Sequence, residues 1–334
     1  MNVLVTGGAG YIGSHAVKRL REAGHFVAVI DNLYRGHRAA VPPEVPFEQV
    51  DLRKTELVIQ MLGKHAIDCV MHFAALAYVG ESVEQPLEYY DNNTAGSISL
   101  LQAIDHVGVK RMVFSSTCAT YGEPASMPIV ESMPQTPINP YGWSKLFTER
   151  CLIDYAAANP DFTFTALRYF NVAGCADDGS IGEDHVPESH VIPLLLLTAL
   201  KRREHFTVFG ADYPTPDGTC IRDYIHVQDL ADAHIAAMDA MAKGKIKGGH
   251  FFNLGIGKGY SVRQLIDTAQ RVTGLPIAVK TGPRRPGDPP ELYANADKIN
   301  RELGWSARIT DLDEIVATAW RWFRDRPVGY GDRK

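Results

Sequence analysis

Cysteine is sparse in this chain. The five residues, Cys69, Cys118, Cys151, Cys175 and Cys220, are odd in number and widely scattered. They show neither disulfide nor zinc spacing, so free thiols in a reducing cytoplasm are expected. Excess positive charge is missing too: 34 Lys and Arg against 39 Asp and Glu leave a net charge of −5. No general field attracts nucleic acid or an anionic membrane, and a phosphorylated ligand would have to find local positive charge. Long apolar runs are also absent. The longest, Val191 to Leu200, carries Pro193 and Thr198 and is far too short to span a bilayer. No charged segment followed by an apolar one opens the sequence, so no signal peptide is expected. The twelve histidines form no i,i+4 pair beside an acid, so no metal is expected. There is no internal repeat and no low-complexity tract.

What is present is an alternation. Short β-branched runs at Asn2 to Thr6, Phe26 to Asp31, Cys69 to Phe73, Arg111 to Ser115 and Phe164 to Tyr169 are separated by amphipathic stretches. One helix is expected from Gly13 to Ala23 and a long one from about Tyr141. Continuous apolar strands between helices indicate a parallel sheet covered on both faces. The fold class is therefore α/β, a Rossmann doubly wound parallel sheet with a smaller α/β lobe behind it. After about Asn171 the pattern loosens, with Pro and Gly clusters at Asp212–Gly218 and Pro283–Pro290. Helices are still expected at Val227–Ala242, Val262–Thr273 and Leu312–Arg324, the second opened by a Ser261/Gln264 capping box.

The first strand runs into Thr6-Gly7-Gly8-Ala9-Gly10-Tyr11-Ile12-Gly13 and then a helix. Glycines permit the tight turn and let a diphosphate approach the backbone. The helix N-terminus behind them offers free N–H groups and a positive dipole end. Asp31, followed by Asn32, closes the second strand. A carboxylate there accepts from ribose hydroxyls and repels a 2′-phosphate, which favours NAD over NADP. Arg35 and Arg38 nearby pull slightly the other way. Asp51 is placed to meet an adenine, or to cap the helix that follows.

Tyr141 and Lys145 stand four apart at a helix start, on one face. A phenol near pKa 10 is a poor base at neutral pH; a neighbouring ammonium and an oxidised nicotinamide would lower it. Tyr141 would then take a proton from a sugar hydroxyl. Thr117, ending the run Ser115-Ser116-Thr117, would bridge substrate and Tyr141, or simply cap the local backbone.

These motifs together resemble the extended short-chain dehydrogenase/reductase family, and within it the UDP-glucose 4-epimerase branch. The likeness runs through TGGAGYIGSH from Thr6, HFAAL at His72, PLEYYDNN at Pro86, FSSTCATYG at Phe114, PYGWSK at Pro140, LRYFNVAG at Leu167, DGTCIRDYIHVQDLADAH at Asp217, FNLGIG at Phe252 and RRPGD at Arg284. The resemblance implies Tyr141 as base, Lys145 as its tuner and Thr117 as proton relay. It implies that NAD is surrounded by Gly7, Gly10, Tyr11, Ile12, Gly13, Asp31, Asn32, Asp51, Leu52, Phe73, Ala74, Ala75, Asn92, Ser115 and Phe170, with Tyr141 and Lys145. It implies that a UDP-sugar is held by Thr117, Asn171, His190, Val191, Phe209, Arg222, Tyr224, Arg285, Asp288 and Leu292. Arg222 and Arg285 would supply the local charge a diphosphate needs; a structural salt bridge with a nearby Asp is the plain alternative.

The implied activity is NAD-dependent inversion of C4 of a UDP-hexose through a transient 4-keto sugar. UDP-glucose and UDP-galactose are the implied pair, with UDP-xylose/UDP-arabinose or UDP-N-acetylhexosamines as alternatives. Three positions depart from the branch pattern: Thr117 for a frequent Ser, Ala77 for a lysine near the cofactor phosphates, and His190 for an Asn. Leu292, at the position that gates pocket width, is intermediate in size. A 4,6-dehydratase is disfavoured because Cys118 and Ala119, not acids, follow Thr117. A non-catalytic NAD sensor is disfavoured because the base and the lysine are both present. Residues 1–172 are expected to form the NAD-binding domain, joined by elements from about 218–254, and residues 173–334 the substrate lobe. A homodimer is expected through helices near Ser97–His106 and Lys145–Tyr155, although their apolar residues would equally suit the sheet.

Overall fold

The computed structural model describes residues 1–285 and 288–332. Pro286 and Gly287 of the RRPGD motif, and Arg333 and Lys334 of the substrate lobe, lie outside the described residues. Among the described residues thirteen strands are formed: β1 (Asn2–Thr6), β2 (Phe26–Asp31), β3 (Phe47–Gln49), β4 (Cys69–His72), β5 (Arg111–Thr117), β6 (Thr163–Tyr169), β7 (Asn171–Ala173), β8 (Phe206–Phe209), β9 (Ile221–His226), β10 (Gly249–Leu254), β11 (Gly259–Ser261), β12 (Val279–Gly282) and β13 (Glu291–Leu292). The α-helices are α1 (Tyr11–Glu22), α2 (Thr55–Lys64), α3 (Val79–Glu84), α4 (Pro86–Tyr89), α5 (Gly96–Val107), α6 (Pro140–Ala158), α7 (Val191–Ala199), α8 (Val227–Ala242), α9 (Val262–Thr273), α10 (Asp297–Leu303) and α11 (Leu312–Asp325).

Seven strands form the main sheet in the order β3-β2-β1-β4-β5-β6-β10, and every pairing is parallel. Helices cover both faces, which is why the strands read as unbroken apolar runs: Val3, Leu4 and Val5 are all fully buried. One face packs against α1 and α8, the other against α2 and α5. The strand order reverses between β1 and β4, and such a switch point leaves a crevice at the carboxyl ends of the strands. The seventh strand comes from far down the chain: β10 pairs with β6 along all of Phe164–Tyr169.

A second, four-stranded sheet of β7, β9, β11 and β13 and a parallel pair of β8 and β12 lie beyond. Helices α7, α9 and α11 close a separate apolar cluster there around Leu196, Leu265, Ile315 and Trp322. The capping box opens α9, with Ser261 Oγ accepting from Gln264 N–H at 3.1 Å. Gly274, at φ 67°, ends it.

Sequence-based bounds shift by one or two residues at several ends. The first helix begins at Tyr11 rather than Gly13, because the last turn of the glycine loop is already helical. The long helix begins at Pro140, which needs no N–H at that position, and Asn139 Oδ1 accepts from Gly142 N–H at 2.9 Å. All five cysteines are free. Among the described residues no helix is long and apolar enough to cross a membrane.

Candidate active site

The glycine loop is built for close approach. A Cβ on Gly13 would sit 2.1 Å from the Gly7 carbonyl oxygen, and one on Gly7, at φ +72°, 2.5 Å from Ala74 N. No side chain caps the N-terminus of α1, so its first-turn N–H groups face the crevice. A cavity of about 110 Å³ beside the loop is lined by Gly7, Gly10, Asp31, Asn32, Asp51, Leu52, Phe73, Ala74, Ala75 and Asn92, residues that the resemblance assigns to NAD, and also by Tyr34, Arg35, Gly36 and Val50.

Asp31 reaches this cavity already engaged. Its Oδ2 accepts from Ala9 N–H at 3.0 Å and its Oδ1 from Leu33 N–H at 2.8 Å. Each carboxylate oxygen retains a second acceptor direction for a hydroxyl. Burial raises its carboxyl pKa, against those two N–H groups. Asp51 is not a helix cap, since α2 starts at Thr55 behind Lys54. Asp51 instead accepts from Arg53 N–H at 2.9 Å and Arg53 Nε at 2.8 Å, and Arg53 holds its carboxyl down at about 2. Arg35 pairs with Glu81 at 2.5 Å and lies 4.2 Å from the Tyr78 ring centre. Arg38 lies over Phe47 and donates to the Val41 carbonyl.

A larger cavity of about 440 Å³ continues from the loop. It is lined by Gly7, Gly10, Tyr11, Ile12 and Gly13 at one end and by Arg222, Tyr224, Asp288 and Leu292 at the other. Thr117, Tyr141, Lys145, Phe170, Asn171, His190 and Val191 line the same cavity. Residues separated by up to 285 positions thus share one wall system.

Tyr141 and Lys145 project from the first turns of α6, which packs against β5 and β6. Lys145 is 3% exposed and donates to the Ser115 carbonyl at 2.8 Å. Burial pushes its ammonium down to about 7, with Glu149 acting the other way. Burial, followed by Tyr169, holds the Tyr141 hydroxyl well above the ordinary phenol range, and a hydrogen bond with Thr117 acts against that. The sequence reading has the ammonium and an oxidised nicotinamide lower the phenol together; among the protein's own groups burial acts most strongly on Tyr141, and the Lys145 ammonium donates to a strand carbonyl. Thr117 Oγ1 also accepts from Ala119 N–H at 3.1 Å, so its capping role and its contact with Tyr141 coexist.

Behind α6 lies a buried ion pair that sequence reading missed. Arg168 on β6 makes a fork to Glu149, Nε to Oε1 at 2.9 Å and Nη2 to Oε2 at 2.7 Å. Ser116 Oγ donates to the same carboxylate at 2.6 Å, and Arg168 also reaches the Tyr121 hydroxyl. The pair ties α6 to the ends of β5 and β6. Only the acid's position two turns past the tyrosine hinted at it.

At the far end Arg222 pairs with Asp288, and donates to the Ile221 carbonyl at 2.7 Å and the Pro289 carbonyl at 2.8 Å. The two residues expected to grip a ligand therefore grip each other, and the charge of Arg222 is shared with an acid. Arg285 lies over the Phe209 ring at 4.1 Å and lines a neighbouring surface groove with Asp288 and Tyr213. Phe209 serves as that stacking platform rather than as a wall of the larger cavity. Ser115 likewise acts one step back: its hydroxyl is 2.8 Å from the Tyr169 hydroxyl and its carbonyl holds Lys145. His190 stands at the N-cap position of α7 without a side-chain capping bond; burial opposes its charge, but Glu183 and Glu188 outweigh that and hold it up at about 10. Tyr78, Tyr169, Glu183 and His185 also line the cavity and were not singled out from sequence.

Comparison with known proteins agrees with this layout. Residues 3–255 match the model of the NAD dependent epimerase/dehydratase family. The chain is 50% identical over 333 residues to a UDP-glucose 4-epimerase of Lactobacillus helveticus, covering 100% of both chains. It is similar to the crystal structure of the UDP-glucose 4-epimerase from Brucella ovis in complex with NAD, at a TM-score of 0.93 and 46% identity over 96% of this chain and 98% of that one. It is also similar to the Bifidobacterium longum UDP-glucose 4-epimerase in complex with NAD+ and UDP, at a TM-score of 0.93 and 39% identity over 98% and 100% of the chains. With most of its length inside the family model and half of its residues identical to a full-length relative, this chain belongs to the NAD dependent epimerase/dehydratase family.

Proposed function

We propose that this chain inverts C4 of a UDP-hexose, interconverting UDP-glucose and UDP-galactose with NAD as a retained cofactor. The observation that carries the reading is that Tyr141 and Lys145 line one cavity together with a backbone phosphate cradle and with Arg222 and Asp288. The cradle fits a dinucleotide: the spaces over Gly7 and Gly13 admit no side chain, and the uncapped start of α1 suits a diphosphate.

Gly7, Gly10, Tyr11, Ile12 and Gly13 would hold the diphosphate of NAD. Asp31, Asn32, Asp51, Leu52 and Asn92 would hold its adenosine, and Phe73 to Ala75 and Phe170 would flank it. When bound, NAD supplies a reversible hydride acceptor for C4, so that a 4-keto sugar forms transiently. Tyr141 takes the O4 proton, and Thr117 passes it between sugar and phenol. Lys145, fixed by the Ser115 carbonyl, orients the site and adds positive charge beneath it. Arg222, Asp288, Tyr224, Arg285 and Phe209 would anchor uridine and diphosphate, while Asn171, His190, Val191 and Leu292 border the sugar. A firm anchor with an uncrowded sugar end lets the ketose present its other face.

Exposed apolar residues on the outer sides of α5 and α6, namely Ile98, Trp143, Phe147 and Ile153, support a homodimer through these helices. The five free cysteines suit a reducing cytoplasm. The direct test is to incubate purified protein with UDP-galactose and no added cofactor, and to resolve products by proton NMR. UDP-glucose is expected. If no product forms with or without added NAD, and UDP-xylose and UDP-GlcNAc also fail, the reading is wrong.

A further inference from the structure

Between β7 and α7 the chain bends so that four side chains of one short segment converge. One potential ligand atom from each of Glu183, His185, Glu188 and His190 lies within 4.8 Å of the others. His190 Nδ1 is 2.8 Å from Glu183 Oε1 and 2.9 Å from Glu188 Oε1. His185 Nδ1 is 3.1 Å from Glu183 Oε1 and 3.8 Å from Glu188 Oε2. The two carboxylate side chains are only 5% and 8% exposed.

Hydrogen bonding accounts for part of this arrangement. Each Nδ1 carries at most one proton, yet that of His190 faces two carboxylates, and Glu183 Oε1 faces two imidazoles. Two carboxylates buried side by side are costly unless two positive charges accompany them. Their ion-pair partners are these same imidazoles. A single divalent cation at the centre supplies both charges while leaving the imidazoles neutral. The spacing suits it: donors around a tetrahedral ion with bonds of about 2.0–2.1 Å stand roughly 3.3–3.5 Å apart, inside the observed range.

The donors are also held in place. Glu188 Oε1 accepts from the N–H groups of Ser189 and His190 at 2.7 and 2.8 Å, which directs Oε2 toward His185. The rings of Tyr11 and Tyr78 meet His185 edge-on, with centroids 6.2 and 6.0 Å away. Two imidazoles and two carboxylates without a thiolate select first-row divalent ions such as zinc or cobalt, rather than magnesium, calcium or copper(I). Glu183, His185 and His190 open onto the cavity, so such an ion would border the space assigned to the UDP-sugar.

We propose that Glu183, His185, Glu188 and His190 bind one divalent transition-metal ion on the wall of this cavity. No metal is expected from the sequence, because these histidines stand five apart on a loop and not four apart on a helix.

The test reads the ion directly and is independent of turnover. The intact protein, with whatever NAD it retains, is passed over chelating resin and titrated with cobalt(II) chloride while visible ligand-field absorption is followed. Zinc displacement and elemental analysis then give the stoichiometry. One ion per chain is expected, weakened about 100-fold or more in His185→Gln/His190→Gln. Circular dichroism and NAD content check that this variant is folded; should it not fold, Glu188→Gln takes its place and is expected to weaken binding with the fold retained. Sub-stoichiometric uptake by the wild type, or equal uptake by wild type and a folded variant, would overturn the proposal.

Discussion

The two ends of the cavity are made of different material. The cofactor end is backbone: a glycine loop, an uncapped helix start and strand ends, with Asp31 as its main charged group. The end proposed for the nucleotide sugar is side chain: Arg222 and Tyr224 from β9, Asp288 and Leu292 from a loop and strand about 65 residues further on, His190 from the start of α7. A backbone site needs glycines in fixed order and so leaves a contiguous mark in the sequence. A side-chain site needs only that distant residues meet, and each of them alone looks ordinary. The difference also sets how each end fails. An added atom breaks the first, and a removed charge breaks the second.

Tyr141 belongs to neither end and should give the largest effect. Tyr141→Phe is expected to cut kcat by about 10²–10⁴-fold while NAD content and UDP affinity stay near wild type. Near-normal turnover by NMR would remove the tyrosine from the chemistry. Next comes the support behind it. Glu149→Ala would leave the buried Arg168 guanidinium unpaired and is expected to cost about 3–5 kcal/mol. Urea unfolding measures this, and a change below about 1 kcal/mol would mean that the fork is not what holds α6.

Two variants then separate the ends. In Gly13→Ala the new methyl meets the Gly7 carbonyl, with about 1–3 kcal/mol of overpacking. NAD released per chain on denaturation should fall, while UDP binding by the folded fraction persists. Asp288→Asn should do the reverse. Loss of a charge-assisted bond of about 1.5–3 kcal/mol raises KM for UDP-galactose roughly tenfold or more, with kcat and NAD content little changed. If both variants lose NAD and substrate together, the two ends are not separable.

The smallest effect is one of pH. Unfolded Lys145 keeps its proton to about 10.5, whereas burial brings the folded group down to about 7. Between those values the unfolded state binds the extra proton, so stability of the NAD-free protein should rise with pH across that window. Lys145→Met should flatten the rise; an unchanged profile would show that another group carries it.

Much of the fold was legible locally. Asn2–Thr6, Phe26–Asp31, Val227–Ala242 and Val262–Thr273 were read to the residue, because unbroken apolar runs, 3.6-residue periodicity and a capping box are local properties. The short strands β7, β11, β12 and β13 were not, since two to four residues carry no periodicity. Asp51 was misread as a possible helix cap because Arg53, two positions on, competes for it. The bond from Lys145 to the Ser115 carbonyl was not legible either, because spacing shows which face two residues share, not where an ammonium finds its acceptor.

The sequence by itself determined the parallel sheet, the glycine cradle, the Tyr141/Lys145 pair and the family they resemble, since each lies within a few residues of its own signal. Tertiary structure alone decided the register in which β10 pairs with β6, that Arg168 locks Glu149 behind α6, that Arg222 meets Asp288, and that two glutamates and two histidines converge between β7 and α7. Those contacts depend on the paths of intervening loops and on the cost of burying charge without a partner, and neither is written at any one position of the chain.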